Sequence, residues 1–281
     1  MKVILLGTNG GPRVNPKRWA PSQVVLVDDE PYVVDCGDGV TRRLTEVGVD
    51  LRRIKNVFIT HHHSDHNAGF GTLMILAWAS GLDNPVDVWG PPPLGKITKA
   101  MLEEHDYDIS MRINSTGRVT PLADYIQVHE LAKDEILFED KARQLTVRAC
   151  LVEHPPVAHA FAYRFDTPTR SVVISGDTAP SQRLIEFATG ADVLIHEVLY
   201  TPAIDTELLS VQNAPGLRGH LMRSHTPIEE VGKVAAAAKI KKLVLSHLVP
   251  GAASVTDEMW KSGIGDEFSG EVIVGRDLME V

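Results

Sequence analysis

The sequence predicts an α/β fold in which two β-sheets pack against each other and helices cover their outer faces. Short apolar runs of the strand type alternate with helical segments, and the order strands then helices occurs twice along the chain. The chain has 281 residues, 43% of them hydrophobic, so it can bury a large core as one compact domain or as two fused halves. We expect a single domain over residues 1–281.

The first part of the chain is rich in strands. Apolar runs predict strands at residues 3–6, 24–27, 32–35, 56–60 and 86–89. Helices are predicted at residues 40–47, 72–80 and 95 to about 108, the last because Ile97, Met101 and Leu102 recur at helical spacing. Gly81 is placed to end the second of these helices.

The second part begins with a β-rich region and then alternates. Strands are predicted at residues 125–129, 135–138, 145–150, 160–165, 171–175, 193–196, 243–246 and 272–274. Helices are predicted at residues 181–188 and 228–238, and Thr226-Pro227 matches an N-cap followed by proline at the first position of the latter helix. Residues 201–221 have the character of a loop and are a candidate lid.

The most informative segment is His-His-His-Ser-Asp-His at residues 61–66, which follows an apolar strand. Neutral imidazoles and a carboxylate at this density are ligands for zinc and similar metals. His61 and His63 are two residues apart, so they point the same way in extended backbone. Asp65 and His66 follow where the chain turns and can face a second ion. The alternative to a metal site is a solvent-exposed polyhistidine loop or a purification tag. A tag would sit at a terminus, would not contain Ser-Asp and would not follow an apolar strand.

Further candidate ligands follow four later apolar strands: His154, Asp177, His196 with Glu197, and His247. A hydrophobic strand that ends in a ligand lets a rigid sheet present its chemistry at one edge. A single histidine in this position is usually structural. Four such strand ends, together with the 61–66 segment, indicate one shared site.

These motifs resemble the metallo-β-lactamase superfamily, and within it the tRNase Z and arylsulfatase-like branch. The resemblance covers nearly the whole chain and rests on residues 7–12, 35–39, 60–66, 154–156, 163–164, 175–178, 196–197, 224–226 and 246–248. It implies a four-layer αββα metallo-β-lactamase sandwich and a metal-dependent hydrolase. The motifs are specific for the fold and for a dinuclear site, and only weakly specific for the substrate.

The resemblance also implies a set of metal ligands. A first ion would be bound by His61, His63 and His154. A second ion would be bound by Asp65, His66 and His247, with Asp177 bridging the two. The implied cofactor is two divalent ions, zinc first, with manganese or iron as alternatives, and a bridging hydroxide would be the nucleophile.

The implied catalytic residues are Asp65, Glu197 and His225. A carboxylate paired with an imidazole can protonate a leaving oxygen, so Glu197 and His225 would form a proton relay. The alternative is that His225 only caps the following helix. Asp35 and Asp38 are expected to orient metal-bound histidines.

The other histidines are expected outside the ligand set. His62 falls between the ligand positions of the motif. His154 is preferred to His159 because it ends a strand and is followed by Pro155-Pro156, which stiffens the backbone. His220 lies close enough to the region of the site to line a pocket there. The proline-rich loop, residues 12–21 with Trp19, forms either one wall of the pocket or a packed surface loop.

The substrate class is predicted from the places where this chain departs from the tRNase Z pattern. Bacterial tRNase Z enzymes carry an RNA-binding arm between the positions matching His154 and Asp177, and here these positions are only 177 − 154 = 23 apart. The net charge of −9 argues against a nucleic-acid partner bound by a broad basic face. The leading interpretation is a hydrolase of small phosphodiesters, sulfate esters or lactones. The alternatives are a tRNA 3′-processing endoribonuclease and a non-catalytic or mono-iron protein.

Composition gives weaker predictions about the cell. Cys36 and Cys150 form no disulfide framework and no Cys-x-x-Cys pair, which favours buried thiols and the cytoplasm. No segment approaches the length of a membrane span. The only support for a homodimer is that relatives of the superfamily are often dimers.

Overall fold

The predicted two-sheet architecture is confirmed by a computed structural model, which describes residues 1–208, 212 and 214–281. Within these residues each sheet has seven strands. The first sheet contains, in spatial order, β14 (Met279–Glu280), β1 (Lys2–Gly7), β2 (Ser22–Val27), β3 (Glu30–Val34), β4 (Asn56–Phe58), β5 (Val86–Gly90) and β6 (Ile126–Glu130). The second contains β13 (Glu271–Val274), β12 (Lys242–Val249), β11 (Val193–Leu199), β10 (Ser171–Ile174), β9 (Ala160–Asp166), β8 (Leu145–Val152) and β7 (Glu135–Asp140).

The helices lie between the strands along the chain. Those of the first half are α1 (Val40–Glu46), α2 (Ser64–Asn67), α3 (Phe70–Ala79), α4 (Leu94–Glu104) and α5 (Asp106–Ser115). Those of the second half are α6 (Gln182–Ala188), α7 (Thr201–Glu207), α8 (Ala214–Ser224), α9 (Ile228–Ala237) and α10 (Asp257–Gly263). Two 3₁₀ turns, Leu51–Arg53 and Leu122–Asp124, complete the described helical segments.

The central strands are apolar on both faces because each sheet is buried on both sides. In β1, Val3 and Leu5 pack toward the second sheet, whereas Ile4 and Leu6 pack toward the helices that cover the first sheet. The outer face of the second sheet packs in the same way against α6, α9 and α10, with Trp260 fully buried there. The order of layers is therefore helix, sheet, sheet, helix.

An aromatic cluster fills the interface between the two sheets. The ring of Phe58 lies 5.3 Å from that of Tyr163 and 5.5 Å from that of Phe165, centroid to centroid. Tyr32 packs edge-on against Phe165 at 6.2 Å. These rings come from both sheets, so their tilted contacts hold the two sheets together.

Four predictions about these elements differ from the structure. The helix expected from residue 95 to about 108 is two helices, because His105 leaves helical geometry with φ −96° and ψ 5°. The spacing of apolar residues did not reveal this break, because an apolar residue that is buried, Ile109, also follows the break. The strand expected at 125–129 belongs to the first sheet, where β6 runs parallel to β5 after the α4–α5 crossover.

The region expected to be a loop at 201–221 contains α7 and most of α8, and its residues 209–211 and 213 lie outside the described residues. The cap predicted for α9 is also wrong by one residue. Pro227 is the N-cap, and the Thr226 hydroxyl donates a hydrogen bond to the Thr178 carbonyl instead of capping the helix.

None of the helices in the described part of the chain is long and apolar enough to cross a membrane.

Candidate metal centre

The 61–66 segment lies at the edge of the first sheet, just beyond β4. His63 is in extended backbone and is the N-cap of α2, so the chain turns directly after it. Asp65 and His66 lie on this short helix and are buried. The segment therefore supplies ligands from two conformations, an extended run and a helical turn, as its spacing predicts.

The first group of candidate ligands is His61, His63, His154 and Asp177, whose donor atoms lie within 4.8 Å of one another. His63 Nδ1 is 2.9 Å from His61 Nε2 and 3.2 Å from His154 Nε2. Asp177 Oδ2 lies 3.9 Å from His61 Nε2 and 3.8 Å from His154 Nε2. Three imidazole nitrogens and one carboxylate oxygen thus surround one point.

The second group is Asp65, His66 and His247, again within 4.8 Å. Asp65 Oδ2 lies 3.5 Å from His66 Nε2 and 3.4 Å from His247 Nε2. Asp177 adjoins this group as well, with Oδ1 3.3 Å from His66 Nε2 and Oδ2 3.2 Å from His247 Nε2. Its carboxylate stands between the two groups, where a bridging ligand would have to be.

The second half of the chain supplies His154 after β8, Asp177 after β10 and His247 within β12. His247 has a φ of +46°, and Asp35, which supports the site, has a φ of +58°. Non-glycine residues rarely adopt this left-handed region. Such strain is concentrated at functional sites, because the surrounding structure must hold it in place.

The donor set fits divalent metal ions. His66 Nε2, Asp177 Oδ1 and His247 Nδ1 are buried and have no hydrogen-bond partner among the described residues. Buried polar atoms are normally paired, because leaving one without a partner costs about 1–3 kcal/mol, and more where the group is charged. A cation coordinated by His66 Nε2 and Asp177 Oδ1 would satisfy two of these atoms.

The protonation of the cluster also suits metal binding. Burial lowers the pKa of His61 well below its usual range and that of His154 to about 4, so both imidazoles keep a free lone pair at neutral pH. Burial opposes ionisation of Asp65, but His66 and His247 outweigh it and the pKa falls to about 2. Burial opposes protonation of His66 too, yet three nearby carboxylates raise its pKa well above its usual range. A bound ion would displace that proton.

Polar contacts orient the candidate ligands. The Asp35 carboxylate is 2.8 Å from His66 Nδ1 and accepts hydrogen bonds from the backbone and hydroxyl of Thr60. His154 Nδ1 is 2.7 Å from the Ser224 carbonyl. Asp35 thus lies where the sequence predicts, whereas Asp38 is exposed and, among the described residues, orients no histidine through a hydrogen bond or ion pair. The Ser224 contact was missed, because a backbone carbonyl leaves no signal in sequence.

Glu197 and His225 lie together beside the first group. His225 Nδ1 is 3.3 Å from Glu197 Oε2 and 4.0 Å from Asp177 Oδ2. The other Glu197 oxygen accepts from the backbone nitrogen of Thr226 at 2.8 Å, which fixes the carboxylate. Burial lowers the pKa of His225, but Glu197 outweighs it and raises the pKa to about 9. His225 Nδ1 also falls within 4.8 Å of Asp177 and His247 donor atoms, so geometry alone would also allow it to bind an ion.

Four other histidines lie outside the two groups of candidate ligands. His62 turns away and its ring nitrogens contact the Pro91 carbonyl and the Asn67 side chain. His154, not His159, is in the ligand group. His220 lies at the rim, 6.4 Å from the rings of both His63 and His225. His196 is buried within β11 and is not in any candidate group formed by the described residues.

The proline-rich loop borders the site. A cavity of about 450 Å³ is lined by this loop, including Trp19, and by Ser64 and Asp65. The backbone nitrogen of Gly11, just before the loop, is 3.4 Å from His247 Nε2. The loop therefore adjoins both the cavity and a candidate ligand.

Comparisons with known proteins agree with this geometry. The profile of the family described as "Anti-Pycsar protein Apyc1" matches residues 1–214. Ribonuclease Z from Mycobacterium bovis is 32% identical over 284 residues, covering 100% of this chain and 98% of that protein. The metallo-β-lactamase fold protein YhfI from Bacillus subtilis superposes with a TM-score of 0.71 at 22% identity, and the human short-form tRNase Z with 0.74 at 22%. Each of these two structural matches covers 100% of this chain and 98% of the matched chain.

The chain therefore belongs to the metallo-β-lactamase-fold metal-dependent hydrolases, in the family of anti-Pycsar protein Apyc1 and ribonuclease Z. This confirms the predicted superfamily and the prediction that the protein is a metal-dependent hydrolase. The two structural neighbours support the fold. The names of the relatives support the nuclease alternative better than the small-ester interpretation, and they give no support to an arylsulfatase.

Proposed function

We propose that this protein hydrolyses phosphodiester bonds with two divalent metal ions, zinc first, held by the seven candidate ligands. The observation that carries the proposal is the position of Asp177 between the two donor groups, with His225 adjacent. When bound, such ions act as Lewis acids and supply a nucleophile at neutral pH. The mixture of imidazole and carboxylate donors suits zinc and also tolerates manganese or iron.

The residues of the chain hold and protonate the reacting groups. Asp35 and the Ser224 carbonyl fix the rings of His66 and His154, which keeps the coordinating nitrogens aimed into the site. His225 carries a proton at neutral pH because the Glu197 carboxylate faces it. From this position His225 donates that proton to the oxygen that leaves phosphorus.

The first candidate substrate is an RNA 3′ end, as in tRNA maturation. Its support is the name ribonuclease Z of the M. bovis relative, which is matched over nearly its full length. This proposal reverses the ranking drawn from sequence alone, where the acidic charge placed RNA second.

The second candidate is a small phosphodiester. Between His154 and Asp177 the chain forms only β9 and β10, which pair as an antiparallel hairpin with no inserted arm. The net charge of −9 would also oppose a long polyanion unless the contact were local. These two observations favour a short substrate.

The test compares both substrates on metal-loaded protein. A tRNA precursor with a 3′ trailer and bis(p-nitrophenyl) phosphate are incubated with wild type and with Asp177→Ala. Cleavage of the precursor at the trailer junction supports the first candidate. Hydrolysis of the small diester alone supports the second. If wild type cleaves neither substrate with zinc, manganese or iron, the proposed function is wrong.

A further inference from the structure

A buried hydroxyl that the proposed reaction does not use connects two loops of the site. One loop follows β10 and carries Asp177, which stands between the two groups of candidate ligands. The other loop joins α8 to α9 and carries His225, the proposed proton donor. The Thr226 hydroxyl donates a hydrogen bond to the Thr178 carbonyl at 2.7 Å, across 48 residues of sequence. This bond therefore joins the His225 loop to the Asp177 loop.

The Glu197 carboxylate connects the same two loops a second time. Its Oε1 atom accepts hydrogen bonds from the backbone nitrogen of Thr226 at 2.8 Å and from that of Thr178 at 3.3 Å. Its Oε2 atom faces His225 Nδ1 at 3.3 Å. Hydrogen bonds to an ionised acceptor are stronger than those between neutral groups. One carboxylate thus holds both loops while it also faces the imidazole.

Both connections are buried. Thr178 and Thr226 are 0% exposed, and Glu197 is 2% exposed. A buried carbonyl that loses its donor cannot turn to water instead, so breaking the Thr226–Thr178 bond is costly. The two loops therefore have one strongly favoured separation.

The separation of the loops sets the position of His225 relative to the ligand between the two donor groups. His225 Nδ1 lies 4.0 Å from Asp177 Oδ2. Each of these two residues directly precedes one of the bonded threonines, so a shift of Thr226 against Thr178 would also move His225 against Asp177. A misplacement of about 1 Å can cost about 100-fold in rate, because the reacting groups must meet in one geometry.

We infer that Thr226 is a positioning residue, whose hydroxyl holds the His225 loop at the distance from Asp177 that proton donation to the leaving oxygen requires. The inference rests on the proposed phosphodiester chemistry and adds to it a residue that acts through His225. The alternative is that the Thr226 hydroxyl contributes only to the stability of the fold.

A matched control exists for the stability of the fold. Thr98 is also a buried threonine, and its hydroxyl donates to a backbone carbonyl, that of Leu94 at 3.0 Å. Both residues of this pair belong to α4, outside the metal centre. Thr226→Val and Thr98→Val therefore each remove one buried hydroxyl and keep the shape of the side chain.

The first test compares the rates of these variants on metal-loaded protein. For a phosphodiester with a ribose leaving group, Thr226→Val should lower kcat about tenfold or more and change KM less than about twofold. For a p-nitrophenolate leaving group kcat should fall less than about threefold, because this group departs without a proton. Thr98→Val should leave both rates unchanged. Thr226→Ser, which keeps a hydroxyl, should restore most of the lost kcat.

A double variant shows whether Thr226 acts through His225. If it does, adding Thr226→Val to His225→Gln should lower the rate less than about twofold further, since residues that act as one unit are not additive. Independent damage to the fold would instead multiply the two losses.

Amide hydrogen exchange gives a readout that does not depend on catalysis. The Thr178 amide is bonded to Glu197 Oε1 and lies next to the carbonyl that Thr226 holds. In metal-loaded protein without substrate, Thr226→Val should speed exchange at Thr178 about tenfold, because the two loops separate more often. Thr98→Val should not change it.

Equal kcat losses for the two leaving groups, multiplied losses in the double variant, or unchanged exchange at Thr178 would each overturn the inference. The proposed function fails in a different way, since wild type itself would then hydrolyse no phosphodiester. An active wild type with a fully active Thr226→Val contradicts the inference alone.

Discussion

Asp35 holds His66 in place from the end of β3, and its own position is fixed by two hydrogen bonds from Thr60. We predict that Asp35→Asn lowers metal affinity about 10–100-fold, because the ring of His66 loses a charged partner. Chelator competition measures this directly. Asp38→Asn is the control, since Asp38 is exposed and should leave the affinity unchanged. Equal losses in both variants would show that Asp35 has no orienting role.

His225 tests the proton-transfer role. His225→Gln should lower kcat about 100-fold or more for a phosphodiester with a ribose leaving group, because that oxygen must be protonated as it leaves. The loss should be much smaller for a p-nitrophenolate leaving group, which departs without a proton. Metal content, measured on the same samples, should stay that of wild type. A loss of metal together with equal rate losses for both esters would instead identify His225 as a ligand.

At the scale of elements, the proline-rich loop is fastened to the C-terminal segment by Asp277. This carboxylate accepts hydrogen bonds from the backbone nitrogen of Trp19 and from the Thr8 hydroxyl, both at 2.7 Å. Arg43 adds an ion pair at 3.7 Å. The three contacts hold the loop against the start of the first sheet.

We predict that Asp277→Ala speeds hydrogen exchange at the Trp19 amide and destabilises the fold by about 1–3 kcal/mol, because the partners of a half-buried carboxylate are left unpaired. Asp257→Ala is the control. Asp257 pairs with the exposed Arg276, a kind of pair worth about 0–1 kcal/mol. Unchanged exchange at Trp19 in Asp277→Ala would contradict the role assigned to Asp277.

Local patterns predicted much of the fold and of the site. The apolar runs located most strands, and the 61–66 segment with His154, Asp177 and His247 located the residues that the structure brings together. The features that the sequence did not predict depend on long-range contacts. The sheet to which β6 belongs is set by its pairing with β5, and the hold on His154 comes from the Ser224 carbonyl, 70 residues away in sequence. Neither leaves a periodic or compositional signal.

For the whole molecule, the candidate ligands join the two halves of the chain. His61, His63, Asp65 and His66 follow β4 of the first sheet, and His154, Asp177 and His247 come from strands of the second sheet. Ions bound at this junction would cross-link the sheets above the aromatic interface of Phe58, Tyr163 and Phe165.

We therefore predict that removing metal with a chelator lowers Tm by several degrees. Binding at about 1,000 times Kd stabilises the native state by about 4 kcal/mol per site. Scanning calorimetry with and without chelator measures the shift. The Asp177→Ala variant should show little further loss on chelation. A Tm of wild type that does not respond to the chelator would contradict a metal at this junction.

The central claim is that phosphodiester hydrolysis depends on ions held by these seven side chains. The most direct measurement is the rate of phosphodiester hydrolysis as metal-free protein is titrated with zinc, in wild type and Asp177→Ala. We predict that the wild-type rate rises and reaches its plateau near two equivalents, and that the variant stays inactive across the titration. A wild-type rate independent of added metal, or a fully active Asp177→Ala, would contradict the account.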